Sequence, residues 1–65
     1  MNFKDHEAYA RIVGAADRLT ELLEDSGDYQ GVLDAFESLE KLGVDLHDEP
    51  QLFSRKQQAL AKLAE

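Results

Sequence analysis

The chain has 65 residues, no cysteine and a formal net charge of −7, from 14 acidic and 7 basic residues. This length allows one domain, residues 1–65, and the lack of cysteine excludes disulfides and thiolate metal sites. The acidity argues against direct binding to nucleic acid or to an anionic membrane surface, because both require a surplus of Lys and Arg.

The first helical pattern covers residues 4–25. Apolar side chains recur every three or four positions, which places them on one face of a helix. They are Tyr9, Ile12, Ala16, Leu19 and Leu23, with Ala8, Val13, Ala15 and Leu22 widening the stripe. Gly14 disfavours a helix interior, and either the close approach of another helix or chance would explain it.

The second helical pattern covers residues 29–42. Gly27 suits the left-handed position that follows a helix, and Asp28 suits the next N-cap. The connection is short, so we expect the first two helices to be antiparallel neighbours. The predicted core stripe of this helix is Tyr29, Val32, Phe36 and Leu39, with Leu33 and Leu42 beside it, and Gly43 ends the helix.

The third helical pattern covers residues 49–64. Asp48 is predicted to cap it, with Gln51 completing a capping box and Pro50 in the first turn. Its apolar side comprises Leu52, Phe53, Ala59, Leu60 and Leu63, and Val44 and Leu46 of the preceding connector are expected to tuck under the helices.

Together the three patterns predict an all-α, up-down-up three-helix bundle with helices at 4–25, 29–42 and 49–64. The alternative is a long helical hairpin whose third helix packs on a second copy of the chain. The small size of the domain keeps a homodimer open, because a core of this size gives little stability.

Several classes of function have no support in the sequence. There is no glycine-rich phosphate loop, no metalloprotease motif and no serine near a histidine, so we predict no enzyme and no cofactor. His6 and His47 would share one end of the bundle with Asp5, Asp48 and Glu49, but their spacing matches no metal-ligand pattern, so we predict no metal site. We expect a cytoplasmic protein, because no apolar run spans a membrane and residues 1–7 lack a signal pattern.

The acidic residues are concentrated in the middle of the chain, where residues 17–49 carry eleven acids against two cations. Carboxylates spaced four, three and four residues apart would form one row if the first helix continued far enough. The predicted acidic face comprises Asp17, Glu21, Glu24 and Asp28, with Asp34, Glu37 and Glu40 added by the second helix. We predict that it docks on a basic surface of a partner protein, as a regulator or inhibitor.

Two alternatives to this docking function remain. The acidic face could mimic nucleic acid, since the chain is similar in size and charge to small acidic inhibitors encoded by phages and mobile elements. A structural subunit that acts by self-assembly is the other. The basic residues Arg55, Lys56 and Lys62 bear on both, because they could pair with acidic residues within the chain or in a second copy.

Overall fold

The computed structural model of the chain describes residues 6–65, and these form three helices around one core. The helices are α1 (Glu7–Asp25), α2 (Tyr29–Leu42) and α3 (Pro50–Leu63), and a short 3₁₀ turn, Leu46–Asp48, precedes α3. This confirms the predicted all-α three-helix bundle. The described chain measures 41 × 18 × 17 Å. Helix α2 is the central element, because α1 and α3 each pack more extensively on α2 than on each other.

Helix α1 begins at Glu7, three residues after the predicted start. The imidazole of His6 caps it, with Nδ1 accepting a hydrogen bond from the backbone N–H of Ala8 at 3.0 Å. Residues 4 and 5 of the predicted helix lie outside the described part of the chain.

The predicted ends of the first two helices are confirmed. Gly27 and Gly43 have φ angles of 81° and 105°, a left-handed conformation that glycine adopts without strain. The carboxylate of Asp28 accepts a hydrogen bond from the backbone N–H of Gly31 at 2.9 Å, so Asp28 is the N-cap of α2. These short-range interactions set the tight turn that makes α1 and α2 neighbours.

The predicted cap of the third helix is wrong. Asp48 ends the 3₁₀ turn, and Glu49 occupies the N-cap position of α3 without a side-chain capping bond. The carboxylate of Glu49 instead accepts a hydrogen bond from the Tyr9 hydroxyl at 2.7 Å, a contact between residues forty positions apart. Pro50 lies in the first turn, as predicted, where its missing N–H costs no hydrogen bond.

The core lies along α2, whose Val32 and Phe36 are completely buried. Tyr9 and Ala16 reach it from α1, and the connector contributes Val44 and Leu46, which confirms that this connector tucks under the helices. The remaining buried apolar residues of the described chain are Leu39, Leu52 and Ala59.

The predicted core is too wide, because five of its leucines are between 43% and 59% exposed. They are Leu19 and Leu22 in α1, Leu42 in α2, and Leu60 and Leu63 in α3. A helix with two neighbours in a three-helix bundle buries a narrow stripe, so apolar positions at the edges of a wide stripe remain in solvent.

The close-approach explanation for Gly14 is also wrong. A Cβ atom placed on Gly14 would meet no atom within 4 Å, apart from the adjoining backbone. The position faces an open depression between α1 and the start of α3, lined on the α3 side by Pro50 and Gln51.

Candidate partner-binding surface

Two consecutive cations of α3 contact different neighbouring helices. Arg55 makes an ion pair with Asp17 of α1, and Lys56 makes an ion pair with Glu40 of α2. Adjacent positions on a helix point about 100° apart, which lets one turn of α3 reach both neighbours. The mildly basic third helix is therefore held between acidic residues of the first two.

The Arg55 contact forms the more extensive network. Nη1 of Arg55 donates to a carboxylate oxygen of Asp17 at 2.6 Å, to the backbone carbonyl of Asp17 at 2.7 Å and to the Thr20 hydroxyl at 3.0 Å. Thr20 is completely buried, and its hydroxyl donates to the backbone carbonyl of Ala16 at 2.7 Å. Thr20 was not among the predicted core residues, although its spacing from Ala16 and Tyr9 places it in the middle of the α1 stripe.

Several residues of the predicted acidic face are thus paired within the chain. Asp17 and Glu40 bind Arg55 and Lys56, with the Lys56–Glu40 pair at 2.8 Å. Glu37 lies 3.4 Å from Lys41, one helical turn away on an exposed surface. The charges of these three acids are partly neutralised, so they contribute less to an attractive field than the sequence suggests.

The four remaining acids of the predicted face lie at the end of the bundle where α1 meets α2, together with Asp25, which was not part of that prediction. We define the acidic pole as the five carboxylates of the second half of α1, the turn and the first half of α2. They are Glu21, Glu24, Asp25, Asp28 and Asp34. Within residues 6–65 none of the five makes an ion pair, although Asp28 caps α2 and Asp34 accepts a hydrogen bond from Gln30. The acidic pole therefore consists of Asp25 and the four residues of the predicted face that form no ion pair within residues 6–65.

Glu24 differs from the other members of the acidic pole because its side chain is partly buried. Its Oε2 atom is inaccessible to solvent and has no hydrogen-bond partner among the described residues. The carboxylate lines two adjoining depressions between α1 and α3, in both of which Gln58 is its neighbour from α3. A buried carboxylate oxygen without a donor is unfavourable, so the charge of Glu24 is poorly compensated by the described residues.

Exposed apolar side chains lie at the same end of the bundle as the acidic pole. Leu19 and Leu22 lie in the second half of α1, and Leu60 and Leu63 lie in the second half of α3, which ends near Glu24. Because α1 and α3 run in the same direction, these four exposed leucines are at the same end of the bundle as the pole. This end combines unpaired negative charge with apolar surface.

The opposite end of the bundle holds the two histidines and a buried tyrosine. The His47 ring contacts the Phe53 ring with 5.1 Å between centroids, and His6 caps α1. Asp5 lies outside the described residues, and residues 6–65 contain no group of three or more His, Asp or Glu side chains that could hold a metal ion. The hydrogen bond to Glu49, with smaller effects of burial and of nearby acids, raises the pKa of Tyr9 to about 12.

Within the described part of the chain, each helix is too short or too polar to cross a lipid bilayer. No protein-family model, curated protein or solved structure matches this chain.

Proposed function

We propose that the chain is a protein-binding module that docks its acidic pole on a basic surface of a partner protein and acts as a regulator or inhibitor. The observation that carries this proposal is the separation of its acids into two groups. Asp17, Glu37 and Glu40 are paired within the chain, whereas the acidic pole forms no ion pair among the described residues. Unpaired charge of one sign accelerates the encounter with a surface of the opposite sign.

The composition of this end favours a protein partner over the mimicry of nucleic acid. A phosphate mimic needs a continuous row of free charges. Here the row is interrupted, because Asp17 is paired with Arg55 and Asp28 lies beyond the end of α1. The exposed Leu19 and Leu22 also lie on this half of α1. Apolar side chains beside a charged rim are typical of protein–protein interfaces.

The proposal is tested by comparing two variants of equal net charge. Glu21→Lys/Asp34→Lys reverses two charges of the pole, and Glu7→Lys/Glu37→Lys reverses two exposed charges outside it. A partner would be captured from lysate at low salt, identified by mass spectrometry, and its association rate measured with each variant. We expect the pole variant to reduce the low-salt rate about tenfold and the control much less.

Two results would count against this function. Equal effects of the two variants would show that only net charge matters, and an unchanged rate with the pole variant would exclude electrostatic docking at the pole. Raising the salt concentration should bring the two variants toward the same rate, because exposed charges are screened.

Self-assembly is a second candidate, favoured by the exposed leucines of α1 and α3. It predicts an apolar contact that persists at high salt. Light scattering across a range of concentrations would detect it, and Leu22→Gln with Leu63→Gln should then return the protein to a monomer. A monomer at all concentrations, in low and in high salt, would exclude it.

A further inference from the structure

An open groove runs between α1 and α3. It consists of three depressions with volumes of about 410, 450 and 250 Å³. The first two share Asp17, Pro50 and Gln51, and the last two share Glu24 and Gln58, so they form one continuous surface. The groove follows α3 from its first turn to its end.

Small residues leave space at three positions of the groove. Gly14 contributes no side chain, and no neighbouring atom occupies the space where its Cβ would be. Ser54 and Ala61 line the α3 side. Arg55 crosses the groove to reach Asp17.

The charge of the groove is negative. Four carboxylates line it, against two cations. The carboxylates are those of Asp17, Glu24, Glu49 and Glu65, and the cations are Arg55 and Lys62. Arg55 is committed to Asp17, and Nζ of Lys62 lies 3.8 Å from Glu65. The groove therefore offers a surplus of negative charge to a molecule that enters it.

Glu24 marks the position that a cation would occupy. Its buried Oε2 atom lacks a donor among the described residues, and it lies where the second and third depressions meet. A guanidinium or ammonium group in the groove would offset the charge of this carboxylate, and rotation of the Glu24 side chain would let Oε2 accept a charge-assisted hydrogen bond from it. A neutral donor would satisfy the oxygen but would not balance its charge.

We propose that the groove between α1 and α3 binds a basic segment of a partner protein, with one arginine or lysine side chain pairing with the carboxylate of Glu24. This inference rests on the proposed function, because it assigns the position within the acidic surface where the partner docks. It adds the kind of segment that is recognised and the residue that recognises it.

The direct test uses a short acetylated and amidated peptide of alternating arginine and alanine, titrated into the ¹⁵N-labelled protein. We expect the largest amide shifts at Gly14, Glu24 and Gln58, and small shifts at Glu37 and Lys41 on the outer side of α2. The same peptide with glutamine in place of arginine is the control and should cause no saturable shifts. Shifts centred on α2, or none at all, would overturn the inference.

Two substitutions separate the groove from the rest of the acidic surface. Glu24→Gln should reduce the affinity for the arginine peptide about tenfold, because it removes the charge that the peptide neutralises. Glu37→Gln should leave this affinity unchanged. Gly14→Phe should block the groove, while Gly14→Ala should not. A Cβ atom at position 14 meets no neighbouring atom within 4 Å, and circular dichroism and thermal melting of both variants would check that the fold is intact.

The outcomes distinguish this inference from the proposed function. If Glu24→Gln and Gly14→Phe leave peptide and partner binding intact while the pole variant slows association, the groove is excluded and the docking function stands. If the peptide binds in the groove but no variant affects a captured partner, the docking function fails and the groove remains a cation-binding surface. If the groove variants lose binding to the peptide and to the partner, and the pole variant also slows association with the partner, both proposals are supported.

Discussion

The guanidinium of Arg55 lies 2.6 Å from a carboxylate oxygen of Asp17 and also donates to the backbone carbonyl of that residue. It therefore recognises both the side chain of Asp17 and the backbone of α1 at one point. The Arg55 side chain is only 18% exposed, so this pair is better shielded from water than the other ion pairs of the described chain. It is the principal polar link between α1 and α3.

Removal of Arg55 should destabilise the fold more than removal of an exposed cation. We expect Arg55→Met to lower the free energy of unfolding by about 2 kcal/mol, since it breaks hydrogen bonds to a charged group and leaves the buried Thr20 without one partner. Arg11→Met is the matched control, because Arg11 pairs with Glu7 across one turn with both side chains at least 80% exposed. That change should cost about 0.5 kcal/mol or less.

Urea denaturation followed by circular dichroism measures both values. Asp17 is 40% exposed, so water replaces part of its interaction and Asp17→Asn should cost less than Arg55→Met. If Arg55→Met and Arg11→Met lowered the free energy of unfolding by similar amounts, the Arg55–Asp17–Thr20 network would contribute no more than an exposed ion pair.

Thr20 should be energetically coupled to Arg55. Thr20→Val keeps the shape of the side chain and removes the hydroxyl, which should cost about 1 kcal/mol. In the Arg55→Met background the same change should be nearly neutral, because the hydroxyl no longer accepts from Arg55 and only its bonds to α1 are lost. A double-mutant cycle gives the coupling energy, and additive effects would contradict the network.

The sequence predicted the parts of the fold that local chemistry determines. Gly27, Asp28 and Gly43 act through their own backbone conformation or through a hydrogen bond to a nearby residue, so their roles follow from residue type. Asp48 and Glu49 show the limit of that reasoning. A capping box was available, but Tyr9, distant in sequence, binds the Glu49 carboxylate.

The candidate site was less predictable because it depends on packing between helices. The sequence is compatible with pairing of Arg55 and Lys56 with acids of the same chain, but their consecutive positions do not reveal that they reach different helices. Nor does sequence spacing show that the Glu24 carboxylate is partly covered where α1 and α3 meet while Glu21 is exposed. The exposed Leu22 was predicted to be buried, because the width of the buried stripe depends on the number of neighbouring helices.

Tyr9 should make stability depend on pH in the alkaline range. Its pKa in the folded protein is raised to about 12, above the ordinary value of 10. The folded state therefore holds the proton more tightly, and the contribution of Tyr9 is fully present below pH 10 and is lost as the pH rises to 12. Tyr9→Phe should remove this dependence.

The measurement compares the free energy of unfolding of the two proteins at several pH values between 9 and 12. We expect the difference between them to stay constant at the lower pH values and to shrink as the pH approaches the raised pKa. If the free energy of unfolding fell equally with pH in both proteins, groups other than Tyr9 would cause the pH dependence.

Gly14 and Gly31 provide a matched pair of substitutions with opposite expected signs. Both are helical, but a Cβ on Gly14 meets no atom within 4 Å, whereas a Cβ on Gly31 would lie 2.7 Å from Cγ of Asp28. Gly14→Ala should stabilise the protein by about 0.5–1 kcal/mol, because alanine loses less conformational freedom on folding. Gly31→Ala should instead destabilise it, since the new methyl group displaces the carboxylate that caps α2, and loss of a cap costs about 1 kcal/mol. The melting temperatures of the two variants, compared with that of the parent protein, test this prediction. A higher melting temperature for Gly31→Ala would mean that the Asp28 cap contributes little to the stability of the fold.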